Sequence, residues 1–143
     1  MKNDLTLLTA TYNSQKTVEK TFESVTGLVK EIIVVDNNST DETVKIAKKY
    51  KAKIIMYKGK NLGRQYQKGL KNVRTKWVLI LDSDEYLSDH LYKELKTLFL
   101  NKKNLEKYDG YFIPFQNHFL GRPINFGGKI IRCFDCLRKI KLS

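Results

Sequence analysis

Short apolar runs alternate with stretches of helical period along this chain, the pattern of a mostly parallel sheet covered by helices. Residues 5–10 (LTLLTA) read as a first strand, and 14–25 follow with Val18, Phe22 and Val25 at helical spacing and Ser14 as N-cap. EIIVVD at 31–36 is apolar and β-branched up to its closing acid, which predicts a strand buried on both faces. Ser39 and Glu42 then stand at capping-box spacing, Ser39 toward the third amide of a helix reaching Tyr50 and Glu42 back toward Ser39. A third strand is expected at 53–57, a loop at 59–63 with Gly63 in a positive-φ turn, and a helix at 64–72.

WVLIL at 77–81 is the most apolar run in the chain and leads straight into Asp82. A helix beginning at Ser88 carries Leu91, Leu95, Leu98 and Phe99 on one face, and the lysine-rich 101–107 reads as a surface connection. Beyond Gly110 the character changes. Strands are expected at 111–115 and 129–134, separated by a stretch broken by Gly121, Pro123, Gly127 and Gly128 and followed by a basic tail. No repeat or low-complexity linker interrupts the chain, so its 143 residues read as one domain.

Composition excludes some classes of protein. No apolar run approaches the roughly 18 residues that cross a bilayer. The first residues lack a secretory apolar core, and two cysteines make no disulfide framework, so a cytoplasmic chain is expected. Charge changes the picture more. The net charge is +12, and the window from Lys45 to Lys76 holds twelve basic residues and no acid. That imbalance favours phosphates, nucleic acid or an anionic membrane face, or is simply a solvated lysine-rich surface.

In open parallel sheets ligands bind beyond the carboxyl ends of the strands, so the residues that follow each strand carry the candidate chemistry. Thr11, Tyr12 and Asn13 follow the first strand, and Asp36, Asn37, Asn38 and Ser39 close the second. Asp82, Ser83, Asp84 and Glu85 follow the fourth. Carboxylates crowded behind an apolar strand repel one another unless a hard cation such as Mg²⁺ or Mn²⁺ neutralises them or a helix N-terminus accepts them. Asp36 suits either a base imide or ribose hydroxyl, or a turn made with the asparagines that follow it. Tyr12 suits a stacked base, Asn13 a helix cap or a turn, and Arg64 either a fork onto a ring carbonyl or phosphate or one more surface cation.

Thr11-Tyr12-Asn13, VVDNNSTDET, Asn61-Leu62-Gly63-Arg64 and LDSDE resemble, in order and spacing, the motifs of the family 2 glycosyltransferases, which have a GT-A fold. The stretch 110–128 resembles the bacterial branch that builds lipopolysaccharide core and related surface glycans. The resemblance implies a Rossmann-like α/β fold, with 1–109 as a donor-binding half and 110–143 as the start of the acceptor side. It implies inverting transfer of a sugar from a nucleotide-diphosphate donor, UDP being the family's usual one, to a saccharide or lipid-linked acceptor. Thr11, Tyr12, Asn13, Asp36 and Asn37 match the segments that hold the nucleoside, and Arg64 the position that assists at the base. Asp82 matches a ribose and metal contact, and Asp84 the direct ligand of Mn²⁺ or Mg²⁺.

Two departures from the family pattern stand out. Asn37 replaces the second of two successive Asp, and family members continue past residue 143, the region that commonly holds the catalytic base. A C-terminally short member is therefore expected, with Glu85 and Asp135 as the late acids available for that role. An incomplete donor-binding or interaction subunit is the alternative reading. A nucleic-acid module finds no helix-turn-helix, zinc-finger or RRM pattern to support it. The lysine surface suits peripheral contact with the anionic inner leaflet. Phe112, Phe115, Phe119 and Phe126 suit sheet cover, an acceptor cleft or self-association into a homo-oligomer. His90, His118 and the single pair Cys133 and Cys136 read as structural or surface residues.

Overall fold

The computed structural model describes residues 3–114 and, beyond them, the strands at 117–119, 122–124 and 128–133. The order is β1 (Leu5–Thr11), α1 (Val18–Val25), β2 (Glu31–Asp36), α2 (Thr43–Lys49), β3 (Lys53–Met56), α3 (Leu62–Leu70) and β4 (Trp77–Ile80). There follow α4 (Asp89–Leu100), α5 (Lys102–Leu105), β5 (Gly110–Pro114), β6 (Asn117–Phe119), β7 (Arg122–Ile124) and β8 (Gly128–Cys133). Six strands form one sheet in the order β3-β2-β1-β4-β8-β5, and β6 pairs with β7 in a separate antiparallel hairpin. The first four strands are parallel, whereas β8 joins β4 and β5 antiparallel.

Alternation along the strands sends side chains to two cores, one on each face of the sheet. Leu5, Leu7, Val34 and Leu79 pack beneath α1 and α4 with Phe22, Leu95 and Phe99. Leu8, Ile33, Val35 and Val78 pack on the opposite face with Tyr66 and Leu70 of α3. Helix α1 buries Val18, Thr21, Phe22 and Val25, the i, i+3, i+4, i+7 stripe of an amphipathic helix. Gly69 lets α3 lie close on the sheet, because a Cβ there would come within 2.4 Å of Leu8 Cδ1 and 2.7 Å of Val35 Cγ2. Trp77 anchors the β4 end of the larger core, edge-on to Phe99 at 6.3 Å and tilted against Tyr111 at 5.8 Å.

Several local expectations are corrected. Ser14 does not cap α1. Its carbonyl accepts from the amides of Thr17 and Val18 in a turn, and the helix opens at Val18 with no side-chain cap. No capping box forms at 39–42, because Asp36 takes the amide and hydroxyl of Ser39, while Glu42 pairs with Lys45 instead of reaching back. Helix α3 starts at Leu62 with Asn61 as its cap, which puts Gly63 in the first turn. Among the described residues the glycine with positive φ is Gly27. Residues 102–105 form the short helix α5, which buries Leu105 where a surface connection was expected. The glycine- and proline-broken stretch holds the β6–β7 hairpin. The helix expected from Ser88 does open there, with Ser88 capping α4 by accepting from the Leu91 amide at 3.2 Å.

Candidate functional site

The strand order reverses between β1 and β4. The chain steps from β1 to β2 to β3 in one direction, then returns to place β4 on the other flank of β1. Such a switch point opens a crevice between the two strand ends, because the connections leave in opposite directions. Here the residues after Thr11 lie on one side of the switch point and 82–86 on the other.

The β1 and β2 ends are tied to each other. Asp36 is fully buried at the last position of β2, opposite Thr11 in the register. Its carboxylate accepts from Thr11 Oγ1 at 2.7 Å, from the Ser39 amide at 2.8 Å and from Ser39 Oγ at 2.6 Å. Charge-assisted bonds of this kind stabilise a buried carboxylate that would otherwise resist desolvation. The two following loops are stitched across. The Asn13 amide donates to Ser39 Oγ at 2.9 Å, the Thr40 amide to Asn13 Oδ1 at 2.8 Å and the Ser14 amide to Thr43 Oγ1 at 2.7 Å. Asn13 adopts φ 46°, a left-handed conformation that Asn tolerates better than most residues. Of its two expected uses, Asn13 therefore takes the turn. Asn37 uses both ends of its amide on Gly59, donating from Nδ2 to the carbonyl at 2.7 Å and accepting the amide at 3.3 Å.

The β4 end is held differently. Asp82 is half-buried and accepts from Tyr66 Oη at 2.7 Å. Burial first, and then that bond to the carboxylate, push the Tyr66 phenol far above its ordinary range, so it remains a donor. The turn closes on itself, with the Glu85 amide donating to the Asp82 carbonyl at 3.0 Å and the Asp82 amide to Glu85 Oε2 at 2.8 Å. Glu85, named as a late acid, thus serves the turn. Ser83 bridges to the β1 side, its hydroxyl 2.8 Å from Ser14 Oγ and its carbonyl 3.2 Å from Thr21 Oγ1. Asp84 is exposed and makes no side-chain hydrogen bond among the described residues.

Four of the expected residues are exposed at this edge. Tyr12 is 64% exposed, and Arg64 and Asp84 are exposed too, whereas Asn13, also exposed, spends its side chain on Thr40. Thr11, Asp36 and Asn37, with the hydrogen bonds of Asn13, form the frame. Asp135 lies outside the described residues, as do Phe115, Phe126 and Cys136. Phe112 on β5 is exposed, and His90 pairs at the surface with Glu94 at 3.7 Å.

Sequence reasoning missed Tyr66 and Gln65 as parts of the site and gave Ser14 only the role of a cap. Gln65 is buried and donates from Nε2 to the carbonyl of Val35 at 2.6 Å and of Thr11 at 3.3 Å, sealing both strand ends. The available signal was a glutamine four residues before Gly69, which puts a polar side chain on the helix stripe that meets the sheet.

The donor chemistry at 82–84 fits a hard divalent cation. Among the described residues no three His, Cys, Asp or Glu side chains group into a closed metal centre. One or two carboxylates here would leave the remaining positions to water and phosphate oxygens, the usual arrangement for Mg²⁺. Among the described residues no helix is long and apolar enough to cross a membrane.

Comparison with known proteins fits this geometry. The family model described as glycosyl transferase family 2 matches residues 6–139. A Rickettsia typhi protein described as an uncharacterized glycosyltransferase is 38% identical over 105 residues, covering 72% of this chain and 35% of that protein. The chain thus spans about a third of the length of the curated relatives it matches first. The poly(ribitol-phosphate) beta-N-acetylglucosaminyltransferase TarS of Staphylococcus aureus is 29% identical over 102 residues, 62% of this chain and 17% of that protein. The crystal structure of TarS 1–349 in complex with UDP superposes with a TM-score of 0.76 at 22% identity, covering 97% of this chain and 48% of that one. Glucosyl-3-phosphoglycerate synthase from Mycobacterium tuberculosis, crystallised with Mn²⁺, UDP and glucosyl-3-phosphoglycerate, gives a TM-score of 0.51 at 23% identity over 59% of this chain and 36% of that one. With the family's motifs carried on this strand order, the chain belongs to the family 2 glycosyltransferases and has their GT-A fold.

Proposed function

We propose that this chain carries the donor side of an inverting glycosyltransferase that binds a UDP-sugar across the β1/β4 crevice and passes the sugar to a saccharide or lipid-linked acceptor. The observation that carries this reading is the pairing of exposed Tyr12, Arg64 and Asp84 with a frame beneath them that is already hydrogen-bonded. Support for the nucleotide comes from TarS, whose structures include complexes with UDP and UDP-GlcNAc, and from the mycobacterial synthase with UDP.

In this reading Tyr12 stacks on the base and Arg64 forks onto a ring carbonyl or a phosphate. Asp36, held by Thr11 and Ser39, fixes the loop that carries Tyr12 and Asn13 and acts on the nucleoside through it. Asp82, oriented by Tyr66, faces the ribose and shares with Asp84 the task of holding Mn²⁺ or Mg²⁺. The complexes of the mycobacterial synthase with Mn²⁺ and with Mg²⁺ support that cofactor class. Bound there, the cation would supply positive charge against the diphosphate as it departs. The acceptor oxygen forms its bond to the anomeric carbon on the face opposite the breaking bond to the diphosphate. Its proton passes to a carboxylate base, and the nucleoside diphosphate leaves.

A second reading, donor binding without transfer, is favoured by one observation: the Glu85 carboxylate accepts the Asp82 amide and is engaged in the turn. Incubation with UDP-, GDP- and dTDP-sugars plus Mn²⁺, followed by chromatography of released nucleoside diphosphate, separates the readings. Release of UDP alone supports the transferase, and UDP-sugar binding without release supports the second. Preference for GDP- or dTDP-sugars removes the assignment of the base.

A further inference from the structure

The topology gathers the basic window onto one flank of the molecule. Strand β3 ends the sheet order, with α2 packed beside it on one face through Ile46 and Ala47, while α3 lies over β1 and β2 on the other and reaches the end of β3 through Lys68. Ten of the twelve basic residues from Lys45 to Lys76 therefore lie on α2, β3, α3 or the turns beside them, while Arg74 and Lys76 lead into β4. The window's ends are neutralised, Lys45 by Glu42 and Lys76 by Glu106. Between those ends Lys48, Lys49, Lys53, Lys58, Lys68 and Lys71 are exposed, and none forms an ion pair among the described residues.

From this arrangement we infer that the β3 edge, with α2 and α3 on either side, is a docking face for an anionic lipid bilayer. The inference does not rest on the transferase reading. The composition of the face selects this occupant among polyanions. Nucleic acid is gripped by exposed aromatic rings and forked arginines. Here the window's tyrosines are partly buried and turned to other tasks: Tyr50 packs on Phe22, Tyr57 donates to the Asn61 carbonyl and Tyr66 donates to Asp82. Ten of the twelve basic residues are lysines.

What the face exposes is aliphatic. Met56 and Leu62 are 49% and 55% exposed in the connection that leaves β3, among Lys58, Lys60, Arg64 and Lys68. That connection is held in shape, with Lys68 Nζ donating to the Met56 carbonyl at 2.7 Å. Apolar side chains among lysines are the pattern of an interfacial surface, the chains entering the headgroup boundary and the amines meeting lipid phosphates. Pairing with a second copy along β3 is opposed by the strand's four-residue length and its exposed Lys53. Docked on this flank, the strands lie along the membrane plane. The crevice at their carboxyl ends then opens sideways at headgroup height, where a lipid-linked saccharide would be presented.

The test is co-sedimentation of the whole chain with vesicles of phosphatidylcholine alone and of phosphatidylcholine mixed with phosphatidylglycerol. Partitioning is expected to be at least about tenfold higher on the mixed vesicles and to fall with salt. Joint replacement Lys48→Gln, Lys49→Gln, Lys53→Gln and Lys71→Gln should lower it by at least about tenfold with the denaturation midpoint and UDP titration unchanged. Met56→Ser with Leu62→Ser should remove the part that survives high salt. Equal partitioning on both vesicle types, or an undiminished quadruple variant, overturns the proposal. So does a single-stranded oligonucleotide that displaces the chain from vesicles at matched charge while the Met56 and Leu62 pair has no effect.

Discussion

Two carboxylate-bearing strand ends flank β1 in this sheet and behave as opposites. At the end of β2, Asp36 is buried and takes three hydrogen bonds from Thr11 and Ser39. In the turn after β4, Asp84 is exposed and makes no side-chain hydrogen bond among the described residues. The first arrangement completes itself within the chain, and the second leaves capacity for something the chain lacks. Motif matching gives both acids a ligand, whereas accounting for hydrogen bonds divides them into frame and contact. Asp82 stands between, one oxygen held by Tyr66.

The contrast breaks most visibly at Asp36. Asp36→Ala leaves the buried Thr11 hydroxyl and both half-buried Ser39 donors without their acceptor, and should destabilise the fold by about 3 kcal/mol. Urea denaturation measures it, and an unchanged midpoint would return Asp36 to the contact class. Gly69→Ala comes next. The added methyl meets Leu8 and Val35, so α3 must lift from the frame, at about 1–3 kcal/mol. A variant as stable as the parent would mean the helix does not clamp the strand ends through Gln65.

Tyr66→Phe sharpens the middle case. Losing one hydrogen bond to a half-buried carboxylate should cost about 1 kcal/mol of stability. If the phenol orients Asp82, UDP affinity in the presence of Mn²⁺ should drop further than affinity in EDTA. Equal losses under the two conditions would confine Tyr66 to packing.

Legibility followed the same division. The strands were readable because β-branched runs such as EIIVVD have few other stable environments, and α1 because its stripe is regular. Alternating strands and helices pointed to the carboxyl edge of the sheet as the place for the candidate residues, but the strand order and its switch point appear only in the fold. Competition among local partners was not readable. Ser39 has the spacing of a cap, but the buried charge three residues earlier is a stronger acceptor than a helix amide is a donor. Gly63 looked like a turn because Asn61, one turn upstream of Gln65, was not recognised as the cap that starts α3 early. Tyr66 and Gln65 were read as ordinary helix positions, since their roles depend on strand ends brought near only by folding.

The central claim is that Asp84 belongs to a donor site and not to the fold. Calorimetric titration of UDP into the whole chain, with Mn²⁺ and with EDTA, and again on Asp84→Ala, tests it directly. The account predicts Mn²⁺-dependent binding weakened at least about tenfold in a variant whose stability lies within about 0.5 kcal/mol of the parent. Undiminished binding in Asp84→Ala, or a variant that unfolds as readily as Asp36→Ala, would contradict it.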